Sequence, residues 1–140
     1  MLRRELTLPG ISQTLILTRH AGKTPMPEGQ SLPELAQHRA TMAIYLSVDQ
    51  LQEIVAELTP HYGADCPVAV LHRVSWPDQD GVVGTLADIA EQVEAKGFTR
   101  TALILVGRAL QPEGFPASYL YSAEHAQEYR QHEASARSQA

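Results

Sequence analysis

Thr41-Met42-Ala43-Ile44-Tyr45-Leu46-Ser47-Val48-Asp49-Gln50-Leu51-Gln52-Glu53-Ile54-Val55-Ala56-Glu57-Leu58 holds the two signals that decide the fold class. Residues 41–46 are a continuous apolar run without strict alternation, as suits a strand covered on both faces. From Leu51 onward the apolar positions Leu51, Ile54, Val55 and Leu58 fall at i, i+3, i+4 and i+7, the stripe of an amphipathic helix. Ser47 with Gln50 three residues later reads as a capping box that starts this helix, and Pro60 and Gly63 as its end.

The same alternation extends in both directions. Thr14–Thr18, Val68–Leu71 and Ala102–Val106 are further short runs rich in aliphatic and β-branched residues, and Val82-Val83 adds a possible fifth strand. Ser31 with Glu34 predicts a short helix burying Leu35 and Ala36. Thr85 and Asp88 predict another, striped by Leu86, Ile89, Ala90 and Val93 and stopped by Gly97. A polar fourth helix is expected from Ser122 to about Arg137. Strand and helix in alternation predict an α/β fold: one three-layer-type domain with a mixed, mostly parallel sheet of about five strands and flanking helices. The domain is expected over residues 1–130, with 131–140 a disordered tail poor in large apolar residues.

Composition bounds the partners. The 140 residues are 44% hydrophobic, enough for one packed core. Eleven Lys and Arg against sixteen Asp and Glu give a formal charge of -5, which opposes the electrostatic footprint of nucleic acid or an anionic membrane. No apolar run is long enough to span a bilayer, and Arg3, Arg4 and Glu5 interrupt any signal-peptide layout, so a soluble cytoplasmic chain is expected. A single cysteine, Cys66, allows no internal disulfide.

Open α/β sheets bind ligands beyond the carboxyl ends of their strands, so the chemistry is sought in the loops that leave them. Three stand out: the basic segment Arg19-His20-Ala21-Gly22-Lys23-Thr24-Pro25, the segment Val74-Ser75-Trp76-Pro77-Asp78, and Gly107-Arg108-Ala109-Leu110. There is no glycine-rich phosphate loop and no G-x-S-x-G nucleophile elbow. The six histidines lack metal-ligand spacing, so no metal is expected; His61 reads as a cation near a helix C-terminus and His72 as a packed strand residue. Cys66 reads as a small buried hydrophobe. Arg19 and Lys23 could hold carboxylates or form a solvated basic loop.

Taken in order, Gln13–Arg19, Gly22–Pro25, Ala40–Ser47, Pro67–Val70, Ser75–Asp78, Gly84–Leu86 and Thr101–Gly107 resemble the C-terminal half of the tetrapyrrole methylase superfamily, in particular its corrin-precursor methylases of cobalamin biosynthesis. The Ser-Trp-Pro-Asp segment followed by Gly-Thr-Leu is the most specific part. The resemblance implies a two-domain enzyme that binds S-adenosylmethionine in the cleft between its halves, methylates a carbon of a tetrapyrrole and releases S-adenosylhomocysteine. It further implies that the family's N-terminal domain is missing here, that the fragment alone is inactive, and that the protein is a homodimer. Cofactor contacts would fall on Tyr45, Leu46, Arg73, Val74, Thr101, Ala102 and Leu103; without the resemblance, Leu46, Ala102 and Leu103 read as core. Arg19 and Lys23 would border the carboxylate-rich substrate, and no catalytic residue is assigned. Two other readings stand beside this one: a non-enzymatic α/β dimerisation domain, and a metal-dependent hydrolase using His20, His61 or His72.

Overall fold

The structure, a computed structural model, describes residues 4–111. Five strands, β1 (Leu15–Arg19), β2 (Thr41–Tyr45), β3 (Pro67–His72), β4 (Asp80–Thr85) and β5 (Ala102–Val106), form one sheet in the order β1-β2-β5-β3-β4. Three helices, α1 (Leu32–Ala36), α2 (Leu51–Tyr62) and α3 (Ile89–Lys96), connect them. The expected fourth helix and the tail from 131 lie outside the described residues. None of the described helices is long and apolar enough to cross a membrane.

The sheet is mixed and five-stranded as expected, but it is not mostly parallel. Only β1 and β2 pair in parallel; β2 with β5, β5 with β3 and β3 with β4 are antiparallel. The cause is one connection without a helix. Each helix-linked pair does share a direction: β1 with β2, β2 with β3, and β4 with β5. Between β3 and β4, however, the chain turns back through residues 73–79 and pairs directly, as a hairpin must. That reversal sends β5 down, and β5 inserts between β2 and β3.

The register explains where the core sits. The row Thr18, Ile44, Ile104, Val70 and Val82 faces the helices, as does the row Ile16, Met42, Val106 and Val68. Against them pack Leu32 and Ala36 of α1, Leu51, Ile54 and Leu58 of α2, and Ile89 and Val93 of α3, all buried. Each of the Leu, Ile and Val side chains among them removes about 1.5–3 kcal/mol of unfavourable hydration. The alternate row Leu17, Ala43, Leu105, Ala69 and Val83 points the other way. Among the described residues the three helices all lie against the first face. Leu110 packs on the second face with Ala43, Ala69 and Leu105, while Leu17 and Val83 at the two edges stay 64% and 61% exposed.

The helix ends only partly follow the sequence signals. Ser31 and Glu34 form the expected capping box on α1. Ser47 does not cap: its side chain makes no cap bond, and residues 48–50 form a 3-10 turn before α2 begins. Pro60 does not end α2, which continues through it to Tyr62 with Gly63 at the C-cap. The buried Tyr62 hydroxyl donates to the Ala40 carbonyl at 2.6 Å, anchoring the last turn to the chain entering β2. Thr85 ends β4 instead of starting α3, and Asp88 accepts from its amide at 2.7 Å, shaping the turn. Cys66 is buried, and that burial pushes its thiol up to about 11, in keeping with the expected packing role.

Ion pairs tie the periphery. Arg108 forks onto both oxygens of Asp65 at 2.7 and 3.0 Å, and Lys96 reaches Asp80 at 2.8 Å. Hydrogen bonds from these partners hold both carboxyls below the ordinary aspartate range. A carboxyl depressed in the folded state stabilises it above the unfolded pKa and loses that contribution as pH falls through the folded one. Thermal melts should therefore show the midpoint steady near pH 6 and falling as the pH drops below 4. Asp65→Asn should flatten that acid limb, and an unchanged limb would mean the pair contributes nothing.

Candidate functional site

β1, β2 and β3 run in one direction and β5 in the other. The carboxyl ends of the first three and the amino end of β5 therefore meet at one end of the sheet. There a cavity of about 570 Å³ opens, lined by Tyr45, Leu46, Val48, Asp49, Leu71, Arg73, Val74, Trp76 and the segment Thr99–Leu103. All seven residues expected to touch a cofactor, Tyr45, Leu46, Arg73, Val74, Thr101, Ala102 and Leu103, are on its wall. They come from three segments far apart in sequence, brought together because β5 lies between β2 and β3.

The backbone around the cavity is strained. Five described non-glycine residues have positive φ, and four belong to these loops: Leu46 (57°), Arg73 (48°), Ser75 (72°) and Thr101 (55°). Left-handed backbone is costly for side chains with a Cβ, most of all for β-branched ones such as Thr101, and such residues gather where ligands are held. Cross-links keep the loops in place. The Arg73 amide donates to the Thr101 carbonyl at 2.9 Å, and the Trp76 amide to the Arg73 carbonyl at 3.0 Å. Arg73 lies over the Trp76 ring, 5.0 Å from its centroid, and pairs with Asp78, whose carboxyl that hydrogen bond lowers.

The walls suit a flat heterocycle. Leu46, Leu71, Val74, Trp76 and Leu103 supply apolar surface, with Asp49, Arg73 and Thr101 as the polar groups that orient a ligand. Leu46 is 87% exposed despite its size, so it is not the core residue that its type alone suggests. Trp76, Asp49 and Arg100 were not among the expected contacts. The position of Trp76 in a loop leaving a strand was the available signal for it; Asp49 and Arg100 carried none.

Arg19 and Lys23 do not line the cavity. Arg19 stands beside Tyr45 in the β1–β2 register, and its guanidinium donates to the carbonyls of His20 and Thr24, both at 3.1 Å, and of Pro25 at 3.4 Å. It thus shapes the loop that carries the exposed Lys23. The histidines of the metal reading are dispersed. The His20 ring contacts Gln50 and Glu57, the latter at 3.2 Å, and the His72 ring stacks on Phe98 with centroids 4.6 Å apart. No group of three or more metal-ligating side chains occurs among the described residues.

A mixed sheet with strained loops around an apolar slot defines an α/β domain with a cavity at one end of its sheet. Residues 1–90 match the family Tetrapyrrole (Corrin/Porphyrin) Methylases, and the chain belongs to that family. It is 66% identical over 126 residues to a precorrin-4 C(11)-methyltransferase of Pseudomonas aeruginosa, covering 90% of this chain and 50% of that protein. It is 35% identical over 97 residues to an S-adenosyl-L-methionine-dependent uroporphyrinogen III methyltransferase of Methanosarcina barkeri, covering 69% of this chain and 38% of that one. The X-ray structure of cobalt precorrin-4 methyltransferase, a cobalamin biosynthetic enzyme, superposes with a TM-score of 0.75 at 38% identity, over 78% of this chain and 46% of that chain. The chain spans between 38% and 53% of the length of the curated relatives it matches.

Proposed function

We propose that these residues are the C-terminal domain of an S-adenosylmethionine-dependent methyltransferase that methylates C-11 of precorrin-4 or cobalt-precorrin-4 in cobalamin biosynthesis. The observation that carries this reading is the convergence of all seven expected cofactor residues on one cavity. The cofactor supplies an activated methyl on a sulfonium, and the tetrapyrrole carbon is the nucleophile. The domain therefore needs to bind, orient and exclude water rather than to attack. Leu46, Val74 and Leu103 form the apolar bed, Tyr45 and Thr101–Ala102 the main-chain rim, and Arg73 a wall fixed by Asp78 and Trp76. Lys23, on the loop ordered by Arg19, faces the carboxylates of the macrocycle. The other half of the cleft is the N-terminal domain of the full-length protein.

The protein acts in this reading as a cytoplasmic homodimer. Gel filtration of the full-length protein checks the dimer. Calorimetry on that protein should show S-adenosylhomocysteine binding, and corrin-precursor methylation should follow its addition to substrate and cofactor. The 140 residues alone should show no turnover. Absence of both binding and methylation in the full-length protein would refute the reading.

A further inference from the structure

Leu46 carries two costs at once. Its backbone is left-handed, at φ 57°, and its large apolar side chain is 87% exposed at the cavity wall. Neither arrangement is favourable on its own, so something adjacent must impose it. The next residue supplies the constraint. Ser47 is 2% exposed, and its hydroxyl bridges two main-chain groups: Oγ accepts from the His20 amide at 2.9 Å and donates to the Tyr45 carbonyl at 2.7 Å. The second bond spans Leu46 and closes a tight turn around it. The first fastens that turn to the start of the 20–25 loop.

His20 is itself immobilised. It is 8% exposed, its ring touches Gln50 and Glu57, and its carbonyl accepts from Arg19. Gln50 and Glu57 belong to the 3-10 turn and helix that follow Ser47. The loop bearing Lys23 and the turn bearing Leu46 therefore share one buried hydroxyl.

We propose that Ser47 is a positioning residue: its hydroxyl holds Leu46 in the left-handed conformation that presents the side chain to the cofactor cavity, and links that wall to the 19–25 loop. This rests on the methyltransferase reading. The role belongs to the side chain at position 47, whereas the partners at 20 and 45 are main-chain groups. Ser47 makes no helix-cap bond; its hydroxyl is directed to these two main-chain groups instead.

The test is a double-mutant cycle read by S-adenosylhomocysteine affinity in the full-length protein. Ser47→Ala should weaken binding about ten-fold, and Leu46→Ala should weaken it to a similar extent. If Ser47 acts through Leu46, the double variant binds no more weakly than Leu46→Ala alone, whereas independent effects multiply. In Ser47→Ala, the Cα and Cβ chemical shifts of Leu46 should move away from left-handed values. Wild-type affinity in Ser47→Ala, or multiplying effects in the double variant, would overturn the proposal. Should Ser47→Ala not fold, Ser47→Thr decides: the hydroxyl is retained, so affinity must stay within about two-fold of wild type, and a larger loss overturns it. A wild-type protein that binds no S-adenosylhomocysteine would instead defeat the methyltransferase reading on which this one rests.

Discussion

Leu46→Asp in the full-length protein should lower S-adenosylhomocysteine affinity by about 100-fold or more while leaving the fold intact. The loss follows from desolvation: a carboxylate placed against Val74 and Leu103 must surrender water as the ligand seats, at a cost of about 3 kcal/mol or more. The fold survives because Leu46 is mostly solvent-exposed and makes no part of the buried core. Its left-handed backbone is also easier for Asp than for Leu, so the melting temperature should hold or rise slightly. This opposition between stability and binding separates a functional side chain from a structural one. Calorimetry paired with a thermal melt reads both, and undiminished affinity would remove Leu46 from the site.

Gly107→Ala should have the opposite signature, with large destabilisation through a residue outside the cavity wall. Gly107 leaves β5 with φ 151° and ψ 156°, a conformation open to glycine alone. A Cβ there would stand 3.0 Å from the Thr41 Cα and 3.2 Å from its Oγ1. Backbone strain and overpacking together predict a loss of about 3–5 kcal/mol, measurable by urea denaturation. Because the nearest atom is main chain, adding Thr41→Ala, which removes Oγ1, to the Gly107→Ala variant should restore little beyond the effect of Thr41→Ala alone. Recovery of most of the stability would show that the side chain, and not the backbone contact, sets the limit. Thr41 is already a weak point, since its buried Oγ1 has no hydrogen-bond partner among the described residues.

Much of this was legible in the residues themselves. All five strands lie where apolar runs place them, and Ser31-Leu32-Pro33-Glu34 states its own helix start. What the sequence could not convey was the neighbour order. The residues of β5 look the same whether it lies at an edge or between β2 and β3, and only the helixless turn at 73–79 reverses its direction. The helix ends misled for a related reason. Ser47 has a capping residue's chemistry, but its hydroxyl goes to groups 27 and two positions away, and only the first of those partnerships is invisible to local pattern. The cavity wall was legible by family resemblance, since apolar residues at strand ends look like core until their exposure is known. Arg19 was visible as a cation, yet its partners are main-chain carbonyls that no residue pattern records.

The insertion of β5 between β2 and β3 also governs how the chain can be made. During synthesis, the β1–β2 pair and the β3–β4 hairpin emerge first, and neither has its inner neighbour. Each exposes an unpaired edge until residues 102–106 leave the ribosome and join them. Among the described residues the sheet thus closes through β5, by contacts distant in sequence, which slows the search for the native state. A nascent chain halted before residue 102 holds two half-sheets with nothing between them.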